Sequence, residues 1–258
     1  MVGRFFDLFV WSDDYAKKVG LAEALGWSGV CLAKEFDSGY KSFSGEVSGL
    51  RKDSGIEILA GALINPKKPE DVQKMARSAL EFADLIFVSG GDEEINRAAS
   101  ECWEVDVLCH PEGVGGRDLM DQKNSGLDDV MVRFMAERGI AIEINFSGLL
   151  NSYGFSRAQV LGRIRQNILL AEKYDCPLIM TSGAADVMGM RTPRDLLSVL
   201  LSFEVDAAYA KKVFEYWPSM LVKKSGDRKN PNIITKGLEV VDWDDCKKTD
   251  KKKMFGWY

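Results

Sequence analysis

Histidine is the residue type that this sequence most conspicuously lacks. The 258-residue chain contains a single histidine, His110. Hydrolases that hold two or three metal ions in a barrel need several histidine and carboxylate ligands that converge on the ions. One histidine therefore excludes a histidine-rich metal centre. A magnesium site built only from carboxylates is left open, and its candidate ligands are Asp7, Asp92 and Glu143.

Paired cysteines and long apolar runs are also absent. The five cysteines are an odd number and none forms a C-x-x-C pair, which argues against a disulfide framework or a zinc site. No run of about 18 apolar residues occurs, and the first ten residues lack the order of a signal peptide. We therefore predict a cytoplasmic protein with no membrane partner.

Sequence signatures of a catalytic site are equally scarce. Gly90-Gly91 follows a predicted strand, but no phosphate-binding lysine comes after it. Ser182 does not lie in the G-x-S-x-G motif of a nucleophilic serine. His110 is either a general base, an RNA contact or a loop residue bonded to the backbone, and we favour the last. We predict no catalytic residue and no metal ligand in this chain, which favours a scaffold or binding role.

Short apolar runs alternate with helical stretches, which is typical of parallel strands joined by crossover helices. We predict an α/β fold, a TIM-barrel-like (β/α) barrel with seven or eight parallel strands. A doubly wound open sheet is the alternative. Phe36–Gly49 and Pro111–Gly126 are predicted as loops, and a weak eighth strand is expected near Phe203–Val205. The seven clearer strands are expected at 4–10, 30–33, 57–62, 85–88, 105–108, 140–146 and 177–181.

Charge is distributed unevenly along the chain. The net charge is −5, but residues 223–258 contain ten Lys or Arg and six Asp or Glu and are therefore +4, which leaves −9 for residues 1–222. We predict a TIM-barrel-like domain over 1–222 and a basic, partly flexible tail over 223–258. Lys251–Lys253 with Phe255, Trp257 and Tyr258 either bind RNA through charge and stacking or form a solvated end.

Four short motifs occur in order in the second half of the chain. They are a strand with E-x-N, a helix with R-x-R-x-N, a strand end T-S-G-A and a helix start R-x-P-R-D. The residues are Glu143 and Asn145; Arg163, Arg165 and Asn167; Thr181, Ser182, Gly183 and Ala184; and Arg191, Pro193, Arg194 and Asp195. Together with weaker similarity towards the start, this set closely resembles the ribonuclease P protein component three family over most of residues 4–222.

The resemblance implies a non-catalytic subunit of a ribonucleoprotein that removes the 5′ leader from precursor tRNA. Its partners would be the ribonuclease P RNA, precursor tRNA through the complex, and other protein subunits, especially the Pop-five-type subunit. Magnesium would act with the RNA, and this chain would bind no cofactor. The family also looks related to metal-dependent phosphoesterase barrels whose first strand ends in D-x-H-x-H. Phe9 and Trp11 stand here in the histidine positions, and an aromatic ring cannot ligate a divalent metal.

Phosphate contacts need cationic side chains on one face. Arg191 and Arg194 are three residues apart near a helix start, and with Ser182 they form the best candidate patch. Pairing of Arg194 with Asp186 or Asp195 is an equally weighted alternative. The full set of predicted RNA-binding residues is Arg163, Arg165, Ser182, Arg191, Arg194, Lys211, Lys212, Lys223 and Lys224.

Two other functions are left open by the sequence. One is a free-standing metal-dependent phosphoesterase-like TIM-barrel hydrolase, against which the scarcity of histidine counts. The other is a barrel that binds only protein partners, which the net acidity of the chain slightly favours.

Overall fold

The structure is a computed structural model that describes residues 3–52, 54–113, 118, 123–235 and 237–243. Seven parallel strands lie side by side in the same order as in the chain, and each pairs with its sequence neighbours. The strands are β1 (Phe6–Trp11), β2 (Gly29–Glu35), β3 (Glu57–Ile64), β4 (Leu85–Ser89), β5 (Val107–Cys109), β6 (Ala141–Asn145) and β7 (Leu178–Thr181).

Helices connect the strands and surround them. They are α1 (Tyr15–Ala24), α2 (Tyr40–Leu50), α3 (Pro69–Ala79), α4 (Glu93–Ser100), α5 (Asp129–Arg138), α6 (Phe146–Asn151), α7 (Gly154–Tyr174), α8 (Pro193–Leu201), α9 (Ala207–Lys211) and α10 (Trp217–Lys229). A π-helical turn, Lys212–Tyr216, joins α9 to α10. A short antiparallel hairpin follows, with β8 (Ile233–Thr235) and β9 (Leu238–Glu239).

Two backbone hydrogen bonds connect the first and last strands of the sheet. The amide of Gly183, just after β7, donates to the carbonyl of Phe9 in β1 at 3.1 Å, and the amide of Trp11 donates to the carbonyl of Ala184 at 3.1 Å. The seven strands therefore form a nearly closed barrel with alternating helices. This confirms the predicted TIM-barrel-like architecture.

Side chains fill the inside of this barrel. The rings of Phe9 and Phe87 meet edge to face with their centroids 5.2 Å apart, and both residues are buried. Gly61 in β3 lies against Phe87 and Cys31, where a Cβ atom would come within 2.6 Å of the Phe87 ring and 2.7 Å of the Cys31 sulfur. Only glycine fits there, because the large ring of Phe87 already occupies the space.

Helix α10 closes the amino end of the barrel. Its Lys224 and Arg228 form ion pairs with the fully buried carboxylate of Asp106, which directly precedes β5, at 3.1 and 2.6 Å. Lys229 pairs in the same way with Asp84, just before β4. The predicted domain boundary at residue 222 therefore falls inside a helix whose later residues are anchored to the barrel.

Two sequence-based expectations about local structure are wrong. Phe36–Gly49 was expected to be a loop because it is rich in Ser and Gly, yet it contains most of α2, whose Tyr40, Phe43 and Val47 are buried at helical spacing. No strand forms at Phe203–Val205, where the chain turns between α8 and α9 and Glu204 has a φ of +64°. Of Pro111–Gly126, the structure describes 111–113, 118 and 123–126, and the first three form a 3₁₀ turn.

Candidate functional site

Polar side chains from β1, β6 and β7 meet inside the barrel near its carboxyl end. Glu143 accepts hydrogen bonds from the Thr181 hydroxyl at 2.5 Å and from the Asn145 amide at 3.0 Å. Asp7 accepts one from the backbone amide of Ser182 at 3.1 Å. All five residues are buried. The E-x-N and T-S-G-A motifs thus face one another across neighbouring strands.

The two acids of this cluster are incompletely paired. Burial raises the pKa of Asp7 to about 7, although hydrogen bonds from Ser182 oppose the shift. One oxygen of Asp7 and one of Glu143 have no hydrogen-bond partner. Asp92, the third candidate magnesium ligand, instead caps α4 by accepting from the amides of Glu94 and Ile95. Over the described ranges, no three His, Cys, Asp or Glu side chains converge into a group that could hold a metal ion.

His110 lies at the end of β5 with a left-handed backbone, at a φ of +50°. Its Nδ1 is 3.8 Å from the Glu112 carboxylate. Burial alone would lower the pKa of His110, but Glu112 and the charge of Glu143 outweigh it and raise the pKa to about 9. The imidazole is therefore protonated at neutral pH. This ion pair with Glu112 differs from the backbone hydrogen bond that we favoured from the sequence.

One buried lysine, Lys18, holds the loop after β7 in place. The ammonium of Lys18 donates to the carbonyls of Trp11 at 2.8 Å and Ala185 at 2.6 Å, and burial lowers the pKa of this lysine. The carboxylate of Asp186 then accepts from the amide of Gly189, and that of Asp195 completes a capping box with Thr192 at the start of α8. Both aspartates are therefore used to order the backbone.

Arg191 and Arg194 lie on this ordered loop and on the first turn of α8. The Arg191 guanidinium donates to the carbonyls of Met188 and Met190, each at 2.8 Å, and lies 5.5 Å from the centre of the Phe146 ring. Arg194 is exposed. Among the described residues, no carboxylate lies within ion-pair distance of either arginine. The alternative pairing of Arg194 with Asp186 or Asp195 is not found.

A second group of residues on this surface was not predicted. The Arg157 guanidinium lies 5.3 Å from the centre of the Tyr153 ring and donates to the carbonyls of Ser152 at 2.7 Å and Leu150 at 3.2 Å. Tyr153 and Phe155 are 74% and 79% exposed. The sequence signal was the pair of aromatic residues that flank Gly154 at the start of a basic helix.

Three predicted RNA-binding residues instead have internal partners. The Arg163 guanidinium is buried and binds the Asp118 carboxylate at 2.9 Å and the Glu112 carbonyl at 3.0 Å. Ser182 is fully buried, and Lys224 is paired with Asp106. Helices α7 and α10 turn Arg163 and Lys224 towards the barrel, and Ser182 is buried directly after β7, so none of the three side chains is presented to a ligand.

The remaining predicted contacts lie elsewhere on the surface. Arg165 binds Glu204 at 2.6 Å, Lys212 binds Asp175 at 2.8 Å, and Lys211 lies 3.9 Å from Glu215. Lys223 is exposed on α10. The structure does not bring these four residues together with Arg191 and Arg194. The aromatic and lysine-rich residues predicted at 251–258 lie outside the described residues.

Comparison with known proteins identifies the family. The model of the family described as RNase P subunit p30 matches residues 4–230. The chain belongs to the RNase P subunit p30 family. A relative in this family, ribonuclease P protein component 3 of Methanococcus vannielii, is 30% identical over 246 residues, which cover 94% of this chain and 100% of the relative.

Solved structures give the same result for this RNase P subunit p30 family member. A chain in the cryo-EM structure of archaeal ribonuclease P with mature tRNA superposes with a TM-score of 0.79 and 26% identity, and covers 91% of this chain and 98% of its own. A 5-methylcytosine deaminase of Klebsiella pneumoniae has a TM-score of 0.56 at 9% identity over 83% of this chain and 63% of its own. The latter likeness shows only a shared barrel fold.

In this member of the RNase P subunit p30 family, the motif residues have mainly structural contacts. Asn145 lies so close to Gly183 that a Cβ atom on the glycine would be 2.0 Å from the amide oxygen. Asn167 of the R-x-R-x-N motif donates to the carbonyl of Ser125 at 3.1 Å, beside the contacts of Arg163. The first three motifs therefore position the loops at the carboxyl end of the barrel, whereas Arg191 and Arg194 of the fourth motif lie on top of those loops.

Proposed function

We propose that this chain is a protein subunit of ribonuclease P that supports the catalytic RNA in removing the 5′ leader from precursor tRNA. The observation that carries the proposal is the likeness to a chain of archaeal ribonuclease P with mature tRNA, which extends over 91% of this chain and 98% of the other. The protein contributes binding surface, and the RNA with its magnesium ions carries out hydrolysis. No residue of this chain takes part in bond cleavage.

The finer parts of the proposal concern partners and place. The protein assembles with the other subunits of the complex, among them a Pop-five-type subunit, and works in the cytoplasm. Arg191 and Arg194 contact RNA phosphates. This role suits them because phosphate binding needs guanidinium groups that are not already neutralised by a carboxylate.

A free-standing phosphoesterase is not favoured. Such an enzyme would place Asp7, Asp92 and Glu143 around one metal ion, but the carboxylate of Asp92 accepts two backbone hydrogen bonds at the start of α4.

No helix in the described part of the chain is long and apolar enough to cross a membrane.

The decisive experiment is reconstitution. Ribonuclease P RNA and the other protein subunits are assembled with and without this chain, and cleavage of the 5′ leader is followed over a magnesium titration. We expect omission of the chain to slow cleavage or raise the magnesium requirement, and the chain alone to be inactive. Unchanged cleavage without the chain, or phosphoesterase activity of the chain alone that is lost in Asp7→Ala, would reject the proposal.

A further inference from the structure

We propose that Tyr153 and Phe155 form a stacking platform for unpaired bases of a single-stranded RNA segment whose phosphates are bound by Arg157, Arg191 and Arg194. This inference rests on the proposed function and adds residues to which no role is assigned above. Tyr153 and Phe155 are 74% and 79% exposed, which is costly for large aromatic residues that have no ligand.

Arg157 and the backbone at the start of α7 hold Tyr153 in place. Arg157 lies over the Tyr153 ring, and its two hydrogen bonds to the carbonyls of Leu150 and Ser152 fix the guanidinium in that position. Tyr153 directly precedes α7, and Gly154 starts the helix with a φ of +53°. The ring is therefore ordered before a ligand arrives, and a base that stacks on it loses little of its binding energy in ordering the side chain.

Helix α6 links the platform to the arginine surface. Arg191 lies over Phe146 at the start of α6. One helical turn later, Leu150 accepts the hydrogen bond from Arg157. Helix α6 thus carries a contact of Arg191 at its first residue and a contact of Arg157 near its last. Aromatic rings beside guanidinium groups along one line are the arrangement by which proteins bind single strands through stacking and charge.

The charges of this surface favour an anionic occupant. The protein has a net charge of −5, and many of its arginines are neutralised by carboxylates, as Arg163 is by Asp118. Within the described ranges, none of Arg157, Arg191 and Arg194 has a carboxylate at ion-pair distance. A polyanion is the occupant that complements three such cations on an otherwise acidic body, which favours RNA over the apolar face of another protein.

The test uses the full-length chain and two probes, a fluorescent 15-nucleotide oligouridylate and the ribonuclease P RNA transcript. We expect Tyr153→Leu and Phe155→Leu each to weaken binding about tenfold without changing its salt dependence, because they remove a ring and no charge. Tyr153→Phe keeps the ring and should retain the affinity. Tyr216→Leu is the matched control, since Tyr216 is 61% exposed on the π-helical turn outside this surface.

A spectroscopic measurement distinguishes stacking from a change in structure. In Tyr153→Trp, the added indole fluorescence should be quenched when oligouridylate binds, and no such change should occur in Tyr216→Trp. Leucine variants that bind both RNAs as the wild type does would overturn the inference. If those variants also lose capture by the other ribonuclease P proteins, the surface is a protein interface.

Failure of this inference is distinguishable from failure of the proposed function. If the wild-type chain is required for 5′-leader removal and Tyr153→Leu replaces it fully, only the stacking platform is rejected. If the wild-type chain is itself dispensable in reconstitution, the proposed function fails, whatever the binding assays with isolated RNA show.

Discussion

The guanidinium of Arg228 donates a hydrogen bond to the buried carboxylate of Asp106 at 2.6 Å, although 122 positions separate the two residues in the chain. Burial alone would raise the pKa of Asp106, but Arg228 and Lys224 outweigh it and hold the pKa below its ordinary value. The same carboxylate also accepts from the backbone amide of Ile86 in β4. One aspartate thus joins α10 to two adjacent strands.

We expect Asp106→Asn to lower the free energy of unfolding by about 3–5 kcal/mol, because it leaves Lys224 and Arg228 in the interior without their counter-charge. Urea denaturation followed by circular dichroism measures the effect. Asp129→Asn is the control, since Asp129 pairs with Lys173 on the surface and should contribute less than about 1 kcal/mol. Equal free energies of unfolding for the two variants would show that the buried ion pairs of Asp106 contribute no more to stability than the surface pair of Asp129.

The length of α10 allows the boundary of the folded domain to be tested. We expect a chain that ends after Asn230 to unfold cooperatively, because it keeps Lys224, Arg228 and their contacts with Asp106. A chain that ends after Val222 loses both cations and should be strongly destabilised. Differential scanning calorimetry of the two chains decides the matter. Matching transition temperatures would support the sequence-based boundary at residue 222.

Asp7 should make stability depend on pH. Its pKa is about 7 in the folded protein against 3.8 for the free side chain, so the folded state binds the proton more tightly and stability is lost as the pH rises from about 4 to 7. The loss amounts to about 4 kcal/mol at most. We expect Asp7→Asn to match the wild type at pH 4 and to be more stable at pH 8.

Urea denaturation at pH 4 and pH 8 measures the stability of these variants. Asp13→Asn is the control, because it replaces an exposed aspartate near the same end of the barrel. It should follow the wild type at both pH values. A pH dependence of Asp7→Asn identical to that of the wild type would mean that Asp7 titrates normally.

His110 is the only histidine in the sequence, so its imidazole signals in a proton NMR titration of the untagged chain are unambiguous. We expect a pKa of about 9, because Glu112 and Glu143 outweigh the effect of burial. The raised pKa stabilises the fold below about pH 6.5, and this contribution is lost as the pH rises through 9. Glu112→Gln should bring the pKa down towards 6.5, and an unchanged value would assign the shift to another group.

Arg194 provides the clearest test of phosphate contact. We expect Arg194→Ala to weaken binding to ribonuclease P RNA and to lower the slope of the logarithm of affinity against the logarithm of salt concentration by about 1. Arg133→Ala removes the same charge from an exposed position on α5 and should leave the slope unchanged. Equal slopes for the two variants would remove Arg194 from the interface.

The strands of the barrel could be predicted because their residues are buried on both faces and form short apolar runs, as in Leu85–Ser89. Helix α2 could not be predicted from composition, since most of its serines and glycines are exposed while Tyr40, Phe43 and Val47 are buried. The end of α10 was also hidden, because the sequence does not show that Arg228 meets a carboxylate 122 positions earlier.

The candidate site was partly predictable for a similar reason. Their position after a strand end and their helical spacing predict a patch at Arg191 and Arg194, and its contact with phosphate stays a prediction. Arg163 has the same chemistry and was assigned the same role, but only the folded chain shows that its face of α7 meets Asp118 and Glu112. Residue type identifies groups capable of binding phosphate, whereas tertiary contacts determine which of them are already occupied.

The closure of the barrel by α10 also imposes an order on biosynthesis. When a ribosome has translated β4 and β5, Asp84 and Asp106 are already part of the nascent chain. The codons for the α10 residues that contact them lie more than 100 positions later. Until those codons are read and α10 leaves the exit tunnel, Asp106 lacks the two cations that pair with it, whereas Asp84 can already pair with Arg51. Closure of this end of the barrel therefore has to wait for translation of α10.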